Sequence, residues 1–217
     1  MRALFITPVT PSATGNGLSM RAGMWLEALA HRFETDVAVA SLFAPHASAQ
    51  EFTESRAGSI QMLSGTLAQA SGIPRPVPTL DARSDDALRA LIAHADVVVV
   101  FRLYLAGLAA HADHVSVPVV VDLDDFDWVR EERLGQQDEA QAYCAYAERV
   151  LERAAVATAA SATDASNGPG VHSHPAWIHV PNGVRPPHAD HHDAAIGLDV
   201  DLLFVATLGY WPNAQAA

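Results

Sequence analysis

The sequence contains no lysine; all 13 of its basic residues are arginine. That absence excludes every mechanism with an obligatory lysine, including a P-loop lysine, a pyridoxal Schiff base and a lysine-dependent phosphohydrolase. Arginine holds phosphate well but does not serve as a nucleophile. Positive charge is scarce as well. The 13 arginines face 25 acidic residues, for a net charge of −12, which disfavours nucleic acid and anionic membrane as main partners because both require a basic face. A single cysteine, Cys144, leaves no intrachain disulfide and no cysteine-based zinc site, and suits a cytoplasmic setting. No stretch approaches the ~18 apolar residues of a membrane span. The N-terminal run ALFIT, cut off by Pro8 and Pro11, is too short for a secretory signal.

What the chain does have is apolar residues in short, punctuated runs. Half of its residues are hydrophobic, enough for a packed core. Ala3 to Thr7 reads as a buried strand, followed by the Pro/Gly/Ser/Thr loop PVTPSATGNG from Pro8 to Gly17 and a helix capped by Ser19 that runs to about Arg32. Asp36 to Leu42 is the next strand, and Gly58 to Leu63 a weaker one. The three prolines of Gly72 to Thr79 predict a loop, and Ser84 or Asp85 caps a helix to about His94. VVVVF, Val97 to Phe101, reads as a strand buried on both faces. Tyr104 to His111 (a short helix), Val117 to Asp122 (a strand), Glu139 to Ala154 (a helix), Val156 to Ala160 and Trp177 to Val180 (strands) complete the alternation. The fold class this predicts is α/β: a doubly wound, Rossmann-like parallel sheet with helices on both faces. The expected organisation is one domain over 1–184, a His-rich linker over 185–200, and over 201–217 the first strand (Asp201 to Ala206) and loop of a second domain.

Four features are candidates for chemistry. Gly15 and Gly17 let the backbone approach an anion at a helix start, where free amides and Arg21 could meet its charge. DLDDFD places four carboxylates, Asp122, Asp124, Asp125 and Asp127, within six residues of a strand end. Crowding there should raise at least one pKa, as a catalytic base requires. His172, His174, His179, His188, His191 and His192 form pairs with zinc-binding spacing, but they lie in loops without a framework, so no metal site is expected. Pro181-Asn182-Gly183 marks a positive-φ turn and a boundary. A nicotinamide fingerprint fails because Met20 stands where G-x-G-x-x-G needs its last glycine. A haloacid-dehalogenase reading of D-x-D fails on Phe126 and on the missing lysine.

In order and spacing, ALFITPVTPSATGNGLSMR, PVVVDLDDFDW, ERVLERAAVATAASATD, IHVPNGV and DLLFVATLGYWPNAQAA resemble the front portion of a family 4-type glycosyltransferase of the GT-B fold. The resemblance implies transfer of a sugar from a nucleotide-diphosphate sugar, as co-substrate, to a glycan or lipid-linked acceptor in polysaccharide synthesis. It implies no bound cofactor or metal. On the matching positions, Gly15, Asn16, Gly17 and Arg21 would face the donor phosphates and acceptor. Gly209, Tyr210 and Asn213 would begin the donor domain, and Asp122, Asp124 and Asp125 would bind or deprotonate an acceptor hydroxyl. The sequence departs from the family at Ala206, at Ala155, and at Arg102, where many relatives place a histidine. The further implied place is the cytoplasm, including the periphery of the inner membrane.

On this reading the chain is the acceptor-side half of a transferase, with ~150 residues of donor domain lying beyond it. The competing class is a non-catalytic glycan- or partner-binding module derived from such an enzyme. The unpartnered strand Asp201 to Ala206 offers a route to self-association. Because catalysis in such enzymes requires both halves to close on the donor, residues 1–217 alone are expected to show negligible transfer from any nucleotide sugar. Turnover assays on the isolated chain check this.

Overall fold

The computed structural model describes residues 1–40, 47–68, 77–168 and 175–183. These fall within one compact unit, Met1–Gly183. The predicted linker, the strand after it, and Gly209, Tyr210 and Asn213 lie outside the described residues, as do five of the six histidines singled out from the sequence.

Nine strands and six α-helices are described: β1 (Arg2–Thr7), α1 (Gly17–Ala30), β2 (Glu34–Val39), α2 (Ala47–Glu54), β3 (Ser59–Met62), β4 (Gly65–Ala68), β5 (Val77–Leu80), α3 (Ala82–Ala93), β6 (Val97–Phe101), β7 (Val119–Asp124), α4 (Asp127–Arg133), α5 (Gln137–Leu151), β8 (Val156–Ala159), α6 (Ala162–Asn167) and β9 (Ala176–His179). A 3₁₀ helix, Leu103–His114, connects β6 to β7. Seven strands form one sheet in the order β3-β2-β1-β6-β7-β8-β9, every pair parallel. This is the expected doubly wound sheet. Chain order reverses between β1 and β6, so the crevice beyond the carboxyl ends of those strands is where such a sheet receives a ligand.

Strand side chains alternate between two cores, which explains the near-continuous apolar runs. Leu4, Ile6, Val98, Val100 and Val121 pack with Leu88 and Ile92 of α3 and with Tyr143, Ala147 and Leu151 of α5. Ala3, Phe5, Val37, Val99 and Phe101 pack on the other face with Leu26 and Leu29 of α1 and Phe52 of α2. Among the described residues, no helix is long and apolar enough to cross a membrane.

Several local expectations require correction. The cap of α1 is Asn16, whose side chain accepts from the Ser19 amide at 2.9 Å. An earlier Asx cap thus displaced the predicted Ser19, and the helix starts inside the glycine loop. The cap of α3 is likewise Asp81, bonded to the Ser84 amide at 2.7 Å, a turn earlier than predicted. Part of the predicted loop Gly72 to Thr79 is strand: Val77–Leu80 pairs antiparallel with β4 in a separate two-stranded sheet, an isolated ribbon where proline is tolerated. Strand β4 and helices α2 and α6 have no counterpart in the sequence reading.

The glycine loop is laid tightly against α1. A Cβ on Gly23 would stand 2.1 Å from the Ser12 carbonyl oxygen, and the Ser12 amide bonds to the Ser19 carbonyl at 3.0 Å. Gly23→Ala therefore forces loop and helix apart and is expected to cost about 1–3 kcal/mol, read as a lower urea midpoint. An unchanged midpoint would contradict this packing.

Candidate active site

The site grows from the end of β7. Asp122 is fully buried, yet it is surrounded by donors. The Arg21 guanidinium grips it as a fork, Nη2 to Oδ1 at 2.7 Å and Nε to Oδ2 at 2.8 Å. Trp25 Nε1 donates to it at 2.7 Å and Thr158 Oγ1 at 2.6 Å. Arg21 is itself buried to a side-chain exposure of 1%, and its remaining nitrogen, Nη1, donates to the Val180 carbonyl at 3.0 Å and to Asn182 Oδ1 at 2.9 Å. A buried pair is tolerable only when its remaining donors and acceptors are met, and here they are.

After Asp122 the chain departs from regular strand geometry. The register between β7 and β8 shifts between Asp122 and Asp124, and Asp124 takes φ +62°. On the neighbouring strand end Arg102 takes φ +80°, while its amide bonds to the Asp122 carbonyl at 2.7 Å. Left-handed backbone at two adjoining non-glycine residues is sustained only where the surroundings impose it, and it clusters at functional sites. The two side chains meet there, with Arg102 Nη1 3.0 Å from Asp124 Oδ2. Arg102 Nη2 lies 3.4 Å from Asp127 Oδ1, and the Tyr143 hydroxyl donates to Asp127 Oδ2 at 3.2 Å. Burial works against the charge on Arg102, but Asp127 and Asp124 outweigh it and raise its pKa.

These groups border a cleft of about 370 Å³ lined by Gly17, Leu18, Arg102, Asp124, Asp125 and Asn182. Burial pushes the Asp124 carboxyl up to about 6, with the Arg102 charge opposing the rise and the neighbouring Asp125 adding to it. A carboxyl was expected to be raised by crowding; burial is the larger cause.

The predicted residues therefore divide. Asp124, Asp125 and Gly17 line the cleft, and Gly15 and Asn16 lie exposed in the loop preceding α1, Gly15 at φ +107°. Asp122 and Arg21, both named from the sequence as groups that would meet substrate, are buried against each other and take no part in the cleft lining. Sequence reasoning missed Arg102 as a partner of Asp124. It also treated Asn182 only as a turn residue, although Asn182 both holds Arg21 and lines the cleft. Of the candidate histidines, His179 is described; its Nε2 lies 3.1 Å from the Ala160 carbonyl oxygen. Among the described residues, no cluster of three or more His, Cys, Asp or Glu could hold a metal ion.

No protein-family model matches the chain, and no curated protein matches it. Solved structures do. A UDP-glucosyltransferase from Polygonum tinctorium, capable of glucosylating indoxyl and solved with 3,4-dichloroaniline, superposes with a TM-score of 0.57 at 15% identity, over 89% of this chain and 54% of that one. Sucrose-phosphate synthase from Thermosynechococcus elongatus superposes with a TM-score of 0.54 at 10% identity, over 85% of this chain and 48% of that one. The chain spans about half the length of these structures. It shares the Rossmann-like fold of glycosyltransferases.

Two measurements follow from this geometry. Asp122→Asn removes the bidentate partner of Arg21, leaving it the carboxylate of Asp124 at 3.3 Å, and is expected to destabilise the domain by about 3 kcal/mol, the low end for breaking a buried pair, read by chemical denaturation. Asp124, raised to about 6 in the folded chain, binds its proton more tightly folded than unfolded, so its contribution to stability is present at low pH and is lost as pH rises through about 6. Between pH 4 and 7, the stability of the parent chain minus that of Asp124→Asn should fall by on the order of 2–3 kcal/mol. A flat difference would contradict the raised pKa.

Proposed function

We propose that the chain is the acceptor-side half of a family 4-like GT-B glycosyltransferase that transfers a sugar from a nucleotide-diphosphate sugar to a glycan or lipid-linked acceptor. The observation that supports this most directly is Asp124. It is a carboxylate poised at about 6, lining a cleft at the carboxyl ends of the strands of a fold shared with glycosyltransferases.

In this reading Asp124 accepts the proton of the acceptor hydroxyl as the hydroxyl oxygen bonds to the anomeric carbon, while the bond from that carbon to the phosphate oxygen breaks and the nucleoside diphosphate leaves with the electron pair. A base of pKa near 6 is largely ionised at neutral pH and still basic enough to assist. Asp125, exposed beside it, hydrogen-bonds a second hydroxyl of the acceptor. Arg102 holds Asp124 in place and occupies the position where many relatives carry a histidine, so the basic role passes to the carboxylate across from it. Gly15, Asn16 and Gly17 offer backbone amides at the start of α1 toward the donor phosphates. Arg21, turned inward onto Asp122, serves as a positioning residue. Gly209, Tyr210 and Asn213 belong to the donor side, which supplies the rest of the nucleotide-sugar site.

The test uses the native protein from cells that make it. An intact mass of ~40 kDa, the sum of two such domains, is expected, together with turnover of a nucleotide sugar. In that protein Asp124→Asn is expected to lower kcat by about 10²–10⁴-fold, and the parent enzyme's rate should rise with pH through about 6. A kcat and pH profile unaltered in Asp124→Asn would overturn the assignment and favour the non-catalytic binding module.

A further inference from the structure

A second cavity lies away from the cleft and shares no lining residue with it. It holds about 330 Å³ between the 3₁₀ helix, β7 and α5, and its lining includes Ala109, Ala110, Val119, Val121 and Val150. That volume falls within the roughly 300–1,000 Å³ range of small-molecule sites. Val119 pairs with Val98 in the first half of β6, so the cavity reaches the entering end of the strands, whereas the acidic cleft stands beyond their carboxyl ends.

Its walls are apolar apart from Tyr146, Arg149 and Arg153. Tyr146 is 8% exposed, and its hydroxyl is buried without a hydrogen-bond partner. The hydroxyl would lie 3.6 Å from a Cβ on Gly107, which also lines the cavity. The Gly107 backbone bears on the hydroxyl and opposes the rise in pKa caused by burial, without a hydrogen bond of normal geometry. Leaving a buried hydroxyl unsatisfied costs about 1–3 kcal/mol, a penalty that a bound acceptor removes. Burial also pushes the phenol up, so it remains a donor at any physiological pH. Arg149 stands exposed on the same lining and forms no ion pair among the described residues. In a chain of net charge −12, an arginine beside an apolar cavity is a local reversal of sign. Apolar walls, a buried phenol and two arginines on the lining select an anion with an apolar body.

We propose that this cavity is a binding site for a small organic carboxylate: its compact apolar body lies against Val119, Val121 and Val150, and its carboxylate takes a hydrogen bond from Tyr146 and the charge of Arg149. The site is independent of the transferase reading and stands whether or not the acidic cleft is catalytic.

The probe is phenylacetate, with phenethylamine (same ring, opposite charge) and acetate (same charge, no apolar body) as controls, titrated into the 217-residue chain and followed by ligand-observed NMR. Saturable phenylacetate binding with a Kd of about 1 mM or tighter is expected, in keeping with so small a ligand, and both controls should bind at least about tenfold more weakly. Tyr146→Phe keeps the ring, and its thermal midpoint should be unchanged or higher because an unsatisfied hydroxyl is gone. It should nevertheless weaken phenylacetate about fivefold or more, the factor for one neutral hydrogen bond. Ala110→Phe, at an exposed wall position, should abolish binding with the fold intact. Absence of saturable binding in the parent chain, equal binding of phenethylamine, or undiminished phenylacetate binding in both variants would each overturn the proposal.

Discussion

The ion pair between Arg21 and Asp122 is the constraint on which the rest of the site depends. Arg21 belongs to the first helix and Asp122 to a strand on the other side of the sheet's reversal point, 101 residues later. The pair closes the two halves of the sheet onto each other. Thr158 from β8 donates to Asp122, and the carbonyl and side chain beyond β9 accept from Arg21, so four segments converge on one ion pair. Buried pairs contribute little net stability once desolvation is counted. What this one supplies is placement. With every lone pair of Asp122 engaged, the backbone after it is held, and the register shift and left-handed turn at Asp124 follow from a fixed point.

The acidic cluster divides along this line. Asp122 is neutralised by Arg21 and Asp127 is held by Arg102 and Tyr143, while Asp124 keeps a shared claim on both arginines and Asp125 stays in solvent. Four similar residues therefore occupy four different environments. Only Asp124 combines burial, which disfavours its charge, with access to a cleft. This combination separates a candidate base from structural carboxylates, and the identity of the residues alone does not convey it.

The alternation of apolar runs with helical segments was sufficient to read the sheet, because parallel strands buried on both faces leave continuous β-branched stretches such as VVVVF. The strand-end carboxylates and the glycine loop were legible as a candidate site because a doubly wound sheet places ligands beyond its strand ends. Helix starts were read too late at Ser19 and Ser84. Asn16 and Asp81 cap equally well by residue type, and nothing local ranks two successive caps. The role of Arg21 was read as outward-facing. An arginine in a first helical turn has the same local signature whether it meets a ligand or a carboxylate a hundred residues away.

The sequence by itself determined the class of fold and the chemistry within reach. Hydrophobic periodicity is a local property that survives translation into strands and helices, and the absence of lysine removes whole mechanisms regardless of shape. Tertiary structure alone decided which charges meet. The pairing of Arg21 with Asp122, the opposition of Arg102 to Asp124 and the grip of Asn182 on Arg21 are all contacts across long sequence separations or between elements. Their energies depend on burial and on distances of a few ångströms, quantities that come into being only when the sheet closes.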